Sequence, residues 1–475
     1  MEDSDRLGLQ LIGGEWVTSD TTLPVLDKFS GRTLTYVHSA TRAQVSRAVA
    51  IAKQAADAGC PPPYERARVL YEAARLVTAH KDMFVDLMVG EAGFTISDAG
   101  GEVDRAKVTL ELSAEVAKHI VGSVVPFGAS PGAERRIGFT LRDPVGVVCA
   151  ITPFNSPLNT VLHKIGPSYA AGNATVLKPS SETPLTAGLL GRLLLEAGMP
   201  KEFLAIVHGP ATVGEWLLEE QDIAFYTFTG STRVGRYIQD HAGLRRTQME
   251  LGSIASTVLC ADADLSVAIP KIANAGLRKA GQVCTSVQRL YVQDTIYDEA
   301  VERLVKEAKT LKAGDPRDPA TRVGPLISER AAQRGEQWIE DAVRAGAHLL
   351  CGGKRVGTVL EPTILADVPE ACSAWCQEAF APLLVLRRFT RFEEALQSAN
   401  DTPYGLSVGV FTRDIQTVLT AIRRFRFGTV QINETSSARS DVMPFGGVKD
   451  SGFGKEGPAY AALEMTVERL IVLNP

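Results

Sequence analysis

The sequence predicts an α/β fold built on largely parallel sheets. Helix-period and strand-period stretches alternate along nearly the whole chain, and four short apolar runs between residues 144 and 231 are separated by helical segments. The 475 residues, 45% hydrophobic and 22% charged, also suffice for two or three large cores.

The elements follow in order. "TRAQVSRAVAIAKQAADAG" and "YERARVLYEAARLVTAHKDMFVDLMVGEAG" repeat apolar residues at three- and four-residue spacing and close on glycine, so each predicts one long helix. "DRAKVTLELSAEVAKHI" predicts another, and 120–142, punctuated by Gly and Pro, has β character. "PVGVVCAITPF", "NATVLKPS", "FLAIVHGP" and "IAFYTFTGS" then read as buried strands. The helices "LNTVLHKIGPSYAA", "TAGLLGRLLLEAG" and "TVGEWLLEE" lie between them, the layout of a dinucleotide-binding sheet. A second series starts near 250: the helix "LSVAIPKIANAGLRKA", closed by Gly281, the strand "SVQRLYVQ", the helix "DEAVERLVKEAKTL", and the strands "LLVLRRF" and "SVGVFT". No Ser/Gly linker separates the halves, which predicts packed domains, and there is no internal repeat or low-complexity tract.

Composition narrows the function. A net charge of −5 offers no basic field for nucleic acid, and no apolar run approaches a membrane span. The acidic start "MEDSDRLGLQ" does not read as a secretory leader. Seven scattered cysteines form no disulfide framework and point to a reducing cytoplasm. Cys372 and Cys376 have no second pair or nearby histidine, so they read as incidental thiols and no metal is expected.

Five short stretches carry candidate chemistry. "FTGSTRVGR" puts Gly230 and the capping hydroxyls Ser231 and Thr232 at a strand-to-helix junction, where free N–H groups suit a pyrophosphate or simply make a tight turn. "LKPSSETP" sets Lys178 at a strand's edge, within reach of ribose, phosphate or water. "TPFNSPLN" stiffens Asn155 between prolines, as an oxyanion donor or a turn residue. "MELGS" places Glu250 in an apolar run, where burial would suit it to general-base work. "GQVCTSVQR" carries Cys284, a nucleophile or a buried thiol, just past a helix C-terminus that does not favour a thiolate.

Together these stretches resemble the aldehyde dehydrogenase superfamily: "PFN", "KP" with a later "TP", "FTGS", "ELG", "GQ-x-C" and "PFGG-x-K-x-SG-x-G", in order from about residue 10 to the C-terminus. "GEVDRA", "LNTVLHK" and "DVMPFGGVKDSGFGKEG" look most like its lactaldehyde and succinate-semialdehyde members. The resemblance implies Cys284 as nucleophile, Asn155 with the Cys284 N–H as oxyanion donors, and Glu250 as the base that activates water. It implies NAD or NADP, held by Ile151, Thr152, Pro153, Phe154, Lys178, Ser180, Ser181, Gly214, Phe228, Thr229, Gly230, Ser231, Val234, Leu251, Gly252, Glu378 and Phe380. Ser181 stands where NAD-preferring relatives commonly have glutamate, so NADP is permitted, although Glu182 could return the charge. Arg439 and Arg105 are candidates for a distal anion on the substrate or for structural ion pairs, and Thr285 lines a small polar pocket, favouring a short polar or anionic aldehyde.

The implied architecture has a Rossmann-type cofactor domain (1–119 and 143–249), a catalytic domain (250–445) and an oligomerisation flap (120–142 and 456–475) that pairs a homodimer or homotetramer. "ELGS" and "EAFAP" depart from the usual "ELGG" and "E-x-F-GP" and touch only the cofactor loops. A CoA-acylating relative commonly lacks the base glutamate, an acyl-phosphate reductase fits the "MELG" glutamate and the "PFGG" segment poorly, and an inactive scaffold would have no need of Asn155, Glu250 and Cys284 together.

Overall fold

The structure, a computed structural model, describes residues 7–474. Met1–Arg6, which carry most of the leader reading, lie outside it, as does Pro475. Eight strands form the first sheet, in the order Glu15–Val17, Gln10–Ile12, Leu204–Ile206, Ala174–Lys178, Val147–Ile151, Ile223–Thr229, Arg246–Glu250, Gly452–Phe453. The five strands from Leu204–Ile206 to Arg246–Glu250 run parallel, and both edges are closed by antiparallel strands. Strands such as Val147–Ile151 and Ala174–Lys178 are buried along nearly their whole length, which is why they read as continuous apolar runs.

A second, seven-stranded sheet has the order His348–Cys351, Thr363–Ala366, Leu383–Phe389, Val287–Gln293, Ala255–Leu259, Ser407–Phe411, Thr429–Ile432. It is parallel except for its first pair. Each sheet has its own core, one drawn from residues 7–251 and the other from 258–427. A separate three-stranded antiparallel sheet joins Thr466–Leu473, Ile137–Pro144 and Val124–Val125. Among the described residues no helix is long and apolar enough to cross a membrane.

Two elements differ from the sequence reading. The single helix expected over 64–93 is two, Pro63–Ala79 and Lys81–Ala92, broken at His80 (φ −103°, ψ 23°). The bend seats Phe84 and Met88 in the first core with no surface left exposed, a tertiary gain that no glycine or proline announces. The helix expected to close at Gly281 stops at Leu277, and Lys279, Ala280 and Gly281 follow in left-handed conformations (φ +51°, +53° and +68°).

Candidate active site

The parallel strands of the first sheet all end on one side, and there a cleft of about 660 Å³ separates the two sheets. Glu250 is the last residue of its strand. Both its carboxylate oxygens are buried with no hydrogen-bond partner among the described residues, and Gly446 packs so close that a Cβ there would stand 2.6 Å from Oε1. Burial first, and the charge of Glu456 second, push the Glu250 carboxyl well above the usual carboxylate range.

Cys284 reaches the same cleft on the left-handed turn. Two non-glycine residues in that conformation cost about 1–2 kcal/mol each, so tertiary contacts must hold them. Lys279 Nζ pairs with the buried Glu102 carboxylate (2.5 Å) and donates to Asn155 O (3.1 Å). Asn155 Nδ2 donates one hydrogen to Gln282 O (2.8 Å), and Gln282 Oε1 accepts from Ile327 N (2.9 Å). The second Asn155 hydrogen has no partner among the described residues. Cys284 is half-buried; burial pushes its thiol up to about 12, against the pull of Arg439.

Buried charges surround these three residues. Glu456 accepts from Lys164 (3.1 Å), Arg439 (2.8 Å) and Thr229 (2.9 Å). Burial alone would raise its carboxyl, but the two cations hold it well below the usual range. Asp441 likewise takes Arg105 on two nitrogens (2.6 and 3.1 Å), His163 (2.9 Å) and Asn159 (3.0 Å). Arg105 and Arg439, the two substrate candidates, therefore both line the cleft and both already hold a carboxylate. Arg278, six residues before Cys284, was not singled out by sequence. It lines the cleft, donates to Ser437 Oγ (2.8 Å), and has no carboxylate within ion-pair distance among the described residues. A basic pair at a helix end reads as solvated, and only the turn directs Arg278 inward.

Every cofactor and substrate candidate named above lines this cleft except Ile151, whose strand ends beside it, and Gly214. Gly214 lies inside the helix Ala211–Glu219 and packs under the Lys178 stem, 3.7 Å from a Cβ placed on it. Lys178 is buried, which lowers its ammonium to about 8. Ser231 caps the helix Thr232–Ala242 and accepts from Val234 N (3.4 Å). Glu378 accepts from Ser253 N (3.0 Å), and burial raises its carboxyl to about 7. Phe380, itself left-handed (φ +48°), meets Phe154 edge-on at 5.9 Å. Thr285 Oγ1 donates to Ser437 Oγ (3.3 Å).

These groups fit a dinucleotide. The helix at Ser231 offers first-turn N–H groups to a pyrophosphate. At Gly252 any Cβ would stand 2.8 Å from Glu378 Oε2, so the backbone there must stay bare beside the carboxylate. No group of three or more His, Cys, Asp or Glu among the described residues is placed to hold a metal.

Comparison with known proteins identifies the class. The sequence model of the aldehyde dehydrogenase family matches residues 16–471, and the chain belongs to that family. The chain is 45% identical over 464 residues to 3-sulfolactaldehyde dehydrogenase of Priestia aryabhattai, covering 98% of this chain and 97% of that one. It is 36% identical to the NADP(+) succinate-semialdehyde dehydrogenase of Escherichia coli K12, covering 97% and 96%. The fold matches aldehyde dehydrogenase 21 of Physcomitrella patens in complex with the reaction product succinate, with TM-score 0.95, 34% identity and 98% of each chain covered. It also matches the NADP complex of glyceraldehyde-3-phosphate dehydrogenase GapN from Methanocaldococcus jannaschii, with TM-score 0.92, 35% identity, and 96% and 100% covered. The protein is accordingly an NAD(P)-dependent oxidoreductase acting on aldehydes, and the CoA-acylating and scaffold readings gain no support.

Proposed function

We propose that Cys284, Asn155 and Glu250 carry the reaction and that the aldehyde is short with an anion at its far end. Cys284 loses its S–H proton to solvent, the thiolate sulfur attacks the carbonyl carbon, and the electron pair moves to oxygen, where Asn155 Nδ2 and the Cys284 N–H receive it. The nicotinamide, when bound, supplies the hydride acceptor. As the carbonyl re-forms, a thioester is left on sulfur. Glu250 takes a proton from water, the hydroxyl adds to the thioester, and the thiolate leaves with release of a carboxylic acid. Per turnover, aldehyde, water and oxidised cofactor give carboxylic acid, reduced cofactor and one proton.

The observation that carries the substrate reading is Arg278, a cleft-lining guanidinium with no carboxylate partner among the described residues. Arg105 and Arg439 have theirs, so they shape the field, while Arg278, which donates to Ser437 Oγ, keeps further guanidinium hydrogens for an anion. The sulfolactaldehyde and semialdehyde relatives, whose substrates carry a sulfonate or carboxylate, agree with this reading. Steady-state kinetics on neutral and anionic aldehydes of equal length test it. Arg278→Met should raise KM for the anionic aldehyde about 30- to 150-fold, by loss of a charge-assisted pair worth ~2–3 kcal/mol, and barely move the neutral one. Equal losses on both would overturn it.

We also assign 1–119 and 143–249 to cofactor binding, 250–445 to catalysis, and 120–142 with 456–475 to self-association. The eight-residue strand Thr466–Leu473 is a sheet edge with Val467, Leu470, Val472 and Leu473 exposed, an edge suited to a second copy of this chain. Light scattering that gave a monomer at micromolar concentration would remove this assignment.

A further inference from the structure

The cleft crosses the ends of the parallel strands, in the order Glu250, Thr229, Ile151, Lys178. At about 4.8 Å per strand, Lys178 stands roughly 14 Å from Glu250. A dinucleotide with its nicotinamide at Cys284 and its pyrophosphate at the helix after Thr229 must lay its other nucleoside over Lys178 and the loop Ser180–Glu182, which line the far end. Charge on that loop then separates cofactors with and without a 2′-phosphate.

The loop's carboxylate is not free. Glu182 Oε2 lies 2.6 Å from Lys28 Nζ, which belongs to a turn 154 residues earlier. The Lys28 side chain is 5% exposed and that of Glu182 48%. The turn is tied down from outside the loop: Lys28 N donates to Gly90 O (3.1 Å), Thr358 Oγ1 donates to Lys28 O (2.6 Å), and Arg317 pairs with Asp27 (2.5 Å). The ammonium is thus positioned by both halves of the fold. It also faces Glu91, whose carboxylate accepts from Leu185 N and Thr186 N (2.8 Å each) and so caps the helix that follows the loop. Ser181 Oγ donates to Gly209 O (2.7 Å), fixing the residue before Glu182.

We propose that Lys28 sets cofactor preference by cancelling the charge of Glu182 at the adenosine end of the cleft, so that a 2′-phosphate is admitted. Lys28 does not line the cleft and acts through Glu182, as a positioning residue. The pair lies at the end away from Cys284, so this inference is independent of the substrate proposed above.

Calorimetric titration of the whole protein with 5′-AMP and with 2′,5′-ADP tests it without turnover. The quantity read is Kd for 5′-AMP divided by Kd for 2′,5′-ADP. Lys28→Met, which keeps most of the packed stem, should lower that ratio about tenfold by releasing one negative charge near the phosphate. Adding Glu182→Gln should restore it. An unchanged ratio in Lys28→Met, or one that Glu182→Gln fails to restore, would mean that Lys28 only packs and would overturn the proposal. If Lys28→Met does not fold, Glu182→Gln alone decides. The ratio should then rise at least about threefold as the ammonium is freed, and no change would overturn the proposal.

Discussion

At the scale of the residue, the site is a set of groups held in unfavourable protonation states. Burial pushes the Cys284 thiol up to about 12, with Arg439 opposing and Glu250 adding to the rise. Without cofactor the thiol is therefore neutral. Its alkylation by iodoacetamide should accelerate about tenfold per pH unit from pH 7 to 10; a plateau below pH 8 would reveal a preformed thiolate. Glu250, buried without hydrogen bonds, gains its charge only as pH rises, so thioester hydrolysis should rise with pH too. In Glu250→Gln a burst of reduced cofactor, one per site, should persist while steady turnover falls about 100- to 1,000-fold. Loss of the burst as well would put Glu250 outside the hydrolytic step. Cys284, Asn155 and Glu250 were legible because each sits in a distinctive short string. Arg278 was not: its inward course depends on a turn that its neighbours in sequence do not announce.

Among elements, that turn departs most from its sequence. The sequence carries the helix to Gly281, yet the chain leaves it after Leu277, where Glu102 and Asn155, both from the other half, hold Lys279. Within this turn Gly281 excludes a side chain outright: a Cβ there would stand 2.0 Å from Ala381 O, at φ +68°. Gly281→Ala should lower stability by about 2–4 kcal/mol in urea titration and remove activity with it. A variant of ordinary stability would show that the turn can relax. The break at His80 has the same character, a local helix overruled by burial of Phe84 and Met88. By contrast, the helix Arg42–Ala58 begins where its sequence says, because Thr41 and Gln44 close a capping box that needs no tertiary partner.

Across the whole molecule, buried charges join the two halves. Glu102 meets Lys279, Asp441 meets Arg105, and Glu456 meets Lys164 and Arg439. Burial opposes each carboxylate, but the cations and hydrogen bonds hold all three below their ordinary values. A depressed value contributes stability that is fully present above the unfolded value and is lost as pH falls below it. The melting temperature should therefore drop steeply below about pH 4. Glu91 works the other way. Burial raises its carboxyl to about 7, so its contribution is complete below the ordinary value of 4.5 and is lost as pH rises through 7. Melting curves from pH 3 to 9 should show a maximum between these limits, and a flat profile would mean that the buried charges are solvated.

The sequence by itself determined the α/β class, the order of most strands and helices, and the strings that bear Cys284, Asn155 and Glu250. Each of those is written in short-range pattern: apolar period, caps, and compact motifs. Only the tertiary structure decided that Arg105 and Arg439 hold carboxylates in the cleft while Arg278 meets Ser437, where the helix before Cys284 ends, and that Lys28 stands against Glu182 across 154 residues. The reason is physical. Buried charges are placed by the partners that desolvation forces on them, and those partners come from segments far apart in the chain.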